Sequence, residues 1–376
     1  MTHEIAILYL KINDAFQQKK PFVSYRKPNS SEVSLLIQND TNTYSLDDFL
    51  QSGFVFAPFD SEKKTIFFPL NKCEIEKFKY TESKMSIKEV VSNKLEYEKE
   101  QHIDLVKKGV DYIKNNATPK IVLSRKEILE LPNFSTINTY KNLLQHYKAA
   151  FTYIWYHPKV GLWLGATPET LLKVTNNTFK TMALAGTQIY TNTLDVVWEQ
   201  KEKQEQQFVT DYIVKQLNKL NIISKVSEPY TIKASSIVHL CTDITGRLNN
   251  TKMQQPLISA LHPTPAVCGL PKEKAKAFIQ NNEGYDREFY TGYFGELNFT
   301  IDNRQKKNNK RNIENHVYSF VKKQSSLFVN LRCMQVKNDK VILYIGGGIT
   351  KDSNPEKEYA ETVAKAAIMK KAIYLL

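Results

Sequence analysis

Leu327-Phe328-Val329-Asn330-Leu331 and Val341-Ile342-Leu343-Tyr344-Ile345 are short apolar runs rich in β-branched and aromatic residues. That composition suits strands with at least one buried face. The stretch between them is too short for a helical crossover, so the two runs are expected to pair with each other, antiparallel. Upstream, Ile121-Val122-Leu123 and Phe151-Thr152-Tyr153-Ile154-Trp155 have the same character and read as further strands. Lys94 to Asn115 carries Ile103, Val106, Val110 and Ile113 at helical spacing and reads as an amphipathic helix. The first 95 residues read as short strands and connecting helices of generic composition.

The chain has 376 residues, with 52 Lys+Arg against 39 Asp+Glu and 41% hydrophobic residues. Its length permits a core that buries roughly three-quarters of the unfolded surface. The mixed charge and plentiful aliphatic residues exclude wholesale disorder. No run approaches the roughly 18 apolar residues of a membrane helix. Met1-Thr2-His3-Glu4-Ile5 lacks the basic-then-apolar layout of a secretory signal. A soluble, cytoplasmic protein without membrane partners is expected. Cys73, Cys241, Cys268 and Cys333 are far apart in sequence and form no CxxC pair. They are expected to be reduced and to pack as small hydrophobes.

The formal charge of +13 raises the question of a nucleic-acid partner. Between Asn303 and Lys323, however, seven basic residues stand against the single acid Glu314, so that stretch supplies +6 of the +13. It has no interleaved aromatic motif of the RNA-binding kind. An enlarged, solvated hairpin loop is expected there, and no nucleic-acid partner.

Two helices carry more chemistry. From about Trp198 to Leu220, the apolar stripe is Phe208, Val209, Tyr212, Ile213, Val214 and Leu217, with Glu202 and Glu205 projecting from one side. The last helix is expected to start at Ser353-Asn354-Pro355, with Asn354 as cap and Pro355 at the first helical position. Its buried stripe is expected to be Ala360, Val363, Ala364, Ala367 and Ile368, leaving Glu358, Glu361 and Lys365 on another face. Two Glu-x-x-Glu pairs suit a hard cation such as Mg²⁺, although the same spacing also describes a solvated helix face. Gly346-Gly347-Gly348 follows a strand but fits neither a Walker loop nor GxGxxG. Alone it requires only a tight turn or a close approach of ligand to backbone.

In order along the chain stand Pro119-Lys120-Ile121-Val122-Leu123-Ser124-Arg125, Gly165-Ala166-Thr167-Pro168-Glu169, Ala185-Gly186-Thr187 and Lys201-Glu202-x-x-Glu205. Then come His262-Pro263-Thr264-Pro265-Ala266, Phe289-Tyr290-x-Gly292, Leu331-Arg332-Cys333, Gly346-Gly347-Gly348-Ile349 and Pro355-Glu356-x-Glu358-Tyr359-x-Glu361-Thr362-x-x-Lys365. This ordered set resembles the chorismate-utilising enzymes, and among them the branch that makes isochorismate. The resemblance covers about residues 95–376.

The resemblance implies a single large α+β domain with an antiparallel sheet core flanked by helices. Residues 1–95 would form its variable N-terminal part and 96–376 its chorismate-binding catalytic region. It implies an isomerase that adds water at C2 of chorismate while the C4 hydroxyl departs, dependent on Mg²⁺ and serving menaquinone or siderophore synthesis. By position, Lys120 matches the base that activates water, and Glu169 the acid that protonates the leaving hydroxyl. Glu205 and Glu361 match magnesium ligands, with Glu202 and Glu358 beside them. Arg332, Tyr290 and Lys365 match side chains that hold a substrate carboxylate, and Gly186, Thr187, Gly346 and Gly348 match positions around it. His262 belongs to the segment that favours the isochorismate branch and joins the substrate-binding set. The family default is a monomer.

Alternatives within the family are salicylate synthase and the anthranilate and aminodeoxychorismate synthases. The amine-adding relatives typically lack the lysine found here at Lys120, and aminodeoxychorismate synthases carry a lysine where this chain has Ala185. Gln206 departs from the histidine that commonly follows the Glu205 position.

Overall fold

The computed structural model describes residues 3–81, 96–131, 134–234, 237–301, 322–337 and 339–374. Two nine-stranded sheets carry the fold, and the strand pairs among the described residues are antiparallel. The first sheet contains Lys120–Glu130 beside Lys340–Ile349, followed by Cys333–Lys337, Gly161–Thr167, Phe151–His157 and Phe22–Arg26. The second runs from Ile237–Arg247 through Thr178–Ile189, Thr170–Thr175 and Lys322–Val329 to Tyr293–Ile301 and Gly53–Ala57. Strands from the first 95 residues join both sheets. The α+β architecture with an antiparallel core is as expected.

Aromatic side chains fill the space between the sheets. Phe56 stacks on Trp155 at 4.1 Å between ring centroids, and Phe294 meets Tyr153 at 4.5 Å, each pair bridging one sheet to the other. Helices cover the outer faces. Helices His3–Gln17, Thr136–His146 and Pro355–Tyr374 pack on the first sheet, and Gln200–Lys219 and Gln254–Leu261 on the second. Glu96–Asn115 buries Ile103, Val106, Val110 and Ile113 against Ile121 and Leu123, which accounts for its helical spacing. Cys241, Cys268 and Cys333 are buried and Cys73 is partly buried, all with free thiols. Among the described residues, no helix is long and apolar enough to cross a membrane.

Two expectations are corrected. Leu327-Phe328-Val329 does not pair with Val341–Ile345, for the two lie in different sheets. The first pairs with Tyr293–Ile301 and Thr170–Thr175. The second forms its hairpin with Cys333–Lys337, a strand the apolar runs concealed, with Met334 opposite Leu343. The chain crosses between sheets at Asn330-Leu331-Arg332. There Asn330 accepts from Tyr153 Oη at 2.6 Å and donates to the Phe289 carbonyl at 2.9 Å, and Arg332 takes a left-handed φ of 48°. An asparagine that bonds a side-chain hydroxyl of the first sheet on one side and a backbone carbonyl on the other helps the chain leave one sheet inside the protein.

The last helix starts as expected, at Pro355, with Asn354 Oδ1 accepting from the Lys357 amide at 3.0 Å. Its inward face is different. Ala360, Ala364 and Ala367 are exposed and Val363 is half-buried, while Glu358, Thr362, Ala366, Ile368, Met369, Lys370 and Ala372 are buried. The helix turns polar groups inward because partners wait there: Arg125 Nε donates to Thr362 Oγ1 at 2.8 Å, Lys370 pairs with Glu127, and Glu358 meets Lys201. Ile301 and Lys322 are paired across an antiparallel hairpin, so the basic stretch connects two adjacent strands. Lys322 and Lys323 belong to the second of these, and residues 302–321 lie outside the described residues.

Candidate active site

The largest group of expected site residues converges on one cleft, lined from the first sheet, the second sheet and two helices. Its floor is the paired strands Lys120–Glu130 and Lys340–Ile349, with Gly348 opposite Val122 and Gly346 opposite Ser124. Lys120 is fully buried beneath Gly348, and its Nζ lies 2.7 Å from Glu205 Oε1. The glycines are needed for space. A Cβ on Gly348 would sit 2.3 Å from Glu205 Oε1 and 3.0 Å from Lys120 Cε, and one on Gly346 would sit 2.7 Å from Tyr290 Oη. Gly348→Ala is therefore expected to push the Lys120–Glu205 pair apart and to lower kcat at least about tenfold, with a melting temperature within a few degrees of the parent. Steady-state kinetics beside a thermal melt reads both, and unchanged kcat would show that the crowding is harmless.

Glu169 occupies the two-residue link between Gly161–Thr167 of the first sheet and Thr170–Thr175 of the second. It is 5% exposed. Burial pushes its carboxyl up to about 7, although the charges of Lys120 and Arg332 pull the other way. A carboxyl that keeps its proton near neutral pH is suited to act as an acid.

Across the cleft, the strand Thr178–Ile189 slips register against Ile237–Arg247 between Ala185 and Gln188. Gly186, at φ 74°, lies in this irregularity. Its carbonyl lies 2.8 Å from His239 Nδ1, and His239 Nε2 is 2.9 Å from Arg332 Nη2. A guanidinium only donates, so Nε2 accepts and Nδ1–H donates to Gly186. Thr187 Oγ1 stands 3.2 Å from the same Nδ1. Burial, then the Arg332 charge, pushes His239 down to about 3, which keeps the ring neutral and the tautomer fixed. Burial also lowers Arg332, to about 10, and it stays cationic at neutral pH.

Helix Gln200–Lys219 brings Glu202 and Glu205 to the cleft, and the final helix brings Glu361 and Lys365. Lys365 Nζ lies 2.8 Å from Glu361 Oε1 and donates to the Gly346 carbonyl at 3.0 Å. Burial would raise Glu361, but Lys365 beside it outweighs this and lowers its carboxyl. Glu358 stands behind this row, paired with Lys201 at 2.9 Å. Burial raises its carboxyl and Lys201 partly offsets the rise.

Glu202 Oε2 is a buried carboxylate oxygen without a hydrogen-bond partner. An orphaned anionic oxygen in a cleft also lined by Glu205 and Glu361 has the donor chemistry that suits a hard divalent cation, whose ligands are oxygens and water. Among the described residues, no three acidic, His or Cys side chains are drawn together into a ligand cluster. Glu205, Glu358 and Glu361 are each held by a lysine instead.

His262 is not brought to the cleft. Its Nε2 lies 3.1 Å from the Pro58 carbonyl and its ring packs edge-on to Tyr293, while its segment reaches the cleft through Ala266 and Val267. Gln206 turns away from the cleft and binds Thr242 Oγ1 at 2.8 Å and Thr210 Oγ1 at 3.0 Å, tying its helix to the second sheet. Sequence reasoning missed His239. Its signal was a lone imidazole in the apolar strand run Ile237-Val238-His239-Leu240, where a buried polar group needs a partner.

Residues 57–303 match the family model described as chorismate binding enzyme, and residues 317–371 match a second model of the same description. Isochorismate synthase DhbC of Bacillus subtilis is 29% identical over 294 residues, covering 73% of this chain and 68% of the relative. Anthranilate synthase component 1 of Thermococcus kodakarensis is 25% identical over 291 residues, covering 73% of this chain and 60% of the relative. Isochorismate synthase MenF of Escherichia coli is 29% identical over 213 residues, covering 54% and 44%. The matched stretches thus span between under half and about two thirds of these relatives. Among solved structures, DhbC of Bacillus anthracis superposes with a TM-score of 0.75 at 24% identity, covering 98% of this chain and all of that one. Escherichia coli MenF superposes at 0.73 and 19% identity, covering 94% and 88%.

Proposed function

The chain belongs to the chorismate-binding enzymes, and from that premise we propose that it is an isochorismate synthase. The observation that carries this reading is the pair on the cleft floor and wall: a buried lysine, Lys120, and a buried carboxyl, Glu169, held near neutrality. Isochorismate synthases among the relatives support the choice of branch.

For this step Lys120 Nζ must be the free amine, having given up the proton it carries in its pair with Glu205, and it then takes a proton from the water whose oxygen bonds to C2 of the ring. The ring π electrons shift and break the C4–O bond, and Glu169 supplies the proton with which that hydroxyl leaves as water. Arg332, aimed by His239, and Tyr290 hold a carboxylate of the dianionic substrate, while Gly346 leaves room for the Tyr290 hydroxyl and Gly348 for the Lys120–Glu205 pair. Glu202, Glu205 and Glu361 would hold Mg²⁺, with Glu358 behind them. A bound Mg²⁺ would supply positive charge that neutralises and orients a substrate carboxylate. Positioned acid and base groups typically contribute 10²–10⁴-fold each, about 3–5 kcal/mol of barrier.

Purified protein given chorismate and Mg²⁺ is expected to produce a reversible mixture of chorismate and isochorismate, without ammonia or glutamine. EDTA should stop turnover and Mg²⁺ restore it. Chromatography of the products decides the branch. Stoichiometric salicylate and pyruvate would replace this reading with salicylate synthase, and ammonia-dependent anthranilate with the amine-adding branch.

A further inference from the structure

Three lysines reach the carboxylates of the cleft, and they are not equivalent. Lys120 is sealed on the floor, with its side chain 0% exposed. Lys365 is fixed by the Gly346 carbonyl as well as by Glu361. Lys201, in the first turn of helix Gln200–Lys219, makes a 2.9 Å ion pair with Glu358 of the final helix. Its side chain is 42% exposed while that of Glu358 is 4% exposed. The anion is therefore fixed in the protein, whereas the cation reaches in from solvent on a flexible stem.

Lys201 also feels the charges of Glu205 and Glu361, so one ammonium serves carboxylates from both helices. A divalent cation held by Glu202, Glu205 and Glu361 would be repelled by the ammonium that Glu205, Glu361 and Glu358 attract. Like charges a few ångströms apart in a partly closed cleft cannot share the site cheaply. The ammonium can leave, because its stem opens to water. Lys120 has no such exit, and Lys365, less exposed than Lys201, is also anchored by the Gly346 carbonyl.

We propose that Lys201 is a displaceable internal counter-ion: it straps the two carboxylate-bearing helices together and gives way when a divalent cation binds, thereby setting the affinity for that cation. This rests on the reading of Glu202, Glu205 and Glu361 as a cation site.

The test is Mn²⁺ titrated into the full-length protein without substrate, with free Mn²⁺ counted by electron paramagnetic resonance. Lys201→Met keeps the aliphatic stem and removes the charge. Its Kd for Mn²⁺ should fall about tenfold or more below that of the parent, while Lys201→Arg, which keeps the charge, should stay within about twofold. Glu361→Gln should weaken uptake, placing the bound ion at the cleft. Circular dichroism verifies that each variant is folded. Equal or weaker Mn²⁺ binding by a folded Lys201→Met would overturn the inference and leave Lys201 a simple strap between helices. No Mn²⁺ uptake by the parent or by Lys201→Met would overturn the cation site itself, and the inference with it.

Discussion

Lys120→Gln and Glu169→Gln are each expected to lower kcat by about 10²–10⁴-fold, and the double variant is expected to be little worse than the weaker single one. Both groups serve one step, so removing either leaves the other without a function. Glutamine keeps the size of each side chain but can neither take the proton of a water nor give one to a hydroxyl. The pH dependence separates the two. Glu169 works protonated, and burial holds its carboxyl up at about 7. The share of the free enzyme with the acid in place therefore declines as pH rises through about 7, and kcat/KM should fall with it.

Stability should follow the same group. The Glu169 carboxyl is raised from its ordinary 4.5 to about 7. Its contribution is fully present below pH 4.5 and is lost as pH rises through 7. A shift of that size corresponds to roughly 3 kcal/mol. Glu169→Gln, neutral throughout, should flatten the stability profile between pH 4.5 and 7 while destroying activity. Loss of function accompanied by gained stability at pH 8 is the mark of a site residue held against its preference. Single-turnover product assays and urea melts across pH measure both. Turnover above about a third of the parent's in either single variant would remove these residues from the chemistry.

Much of this site could be read from order and spacing because its residues have separate reasons to be what they are. Gly348 must lack a side chain for Lys120 to meet Glu205, and Asn354 with Pro355 starts the helix that delivers Glu361. Apolar runs served less well. Leu327-Phe328-Val329 and Val341–Ile345 have the same composition yet belong to different sheets, because apolarity reports burial and says nothing of partner. The turn at Arg332 decides the partner, and a left-handed arginine leaves no mark in composition. The final helix was misread for a related reason. Its alanines look like a core stripe, but small residues also suit an exposed helix face, and the covered side mixes apolar residues with Glu358, Thr362 and Lys370, which Lys201, Arg125 and Glu127 meet there. His239 stayed hidden since its partners, Gly186 and Arg332, are 53 and 93 residues away.

The largest loss of stability is expected from a pair that no motif announced. Glu283 and Arg287, one turn apart, have side chains 0% and 1% exposed and share two hydrogen bonds, Nε to Oε2 at 2.8 Å and Nη2 to Oε1 at 2.5 Å. Arg287 also donates to the carbonyls of Val122 at 2.7 Å and Val267 at 2.9 Å. Glu283 Oε1 receives the Ser124 amide at 2.7 Å and its hydroxyl at 2.9 Å. The pair thus grips the strand that starts at Lys120 and the segment that brings Ala266 and Val267 to the cleft. Arg287→Met would leave a carboxylate buried without its partner and two carbonyls without donors, a change that typically costs about 3–5 kcal/mol. Lys340→Met, which breaks the exposed 2.7 Å pair with Glu130, should barely move the melt, because solvent screens the pair. Urea melts of the two variants should differ accordingly. Glu283→Gln combined with Arg287→Met should recover part of the loss, because the buried charge goes with its partner. If Arg287→Met melts like Lys340→Met, the pair is a bystander and the cleft is held by its sheets alone.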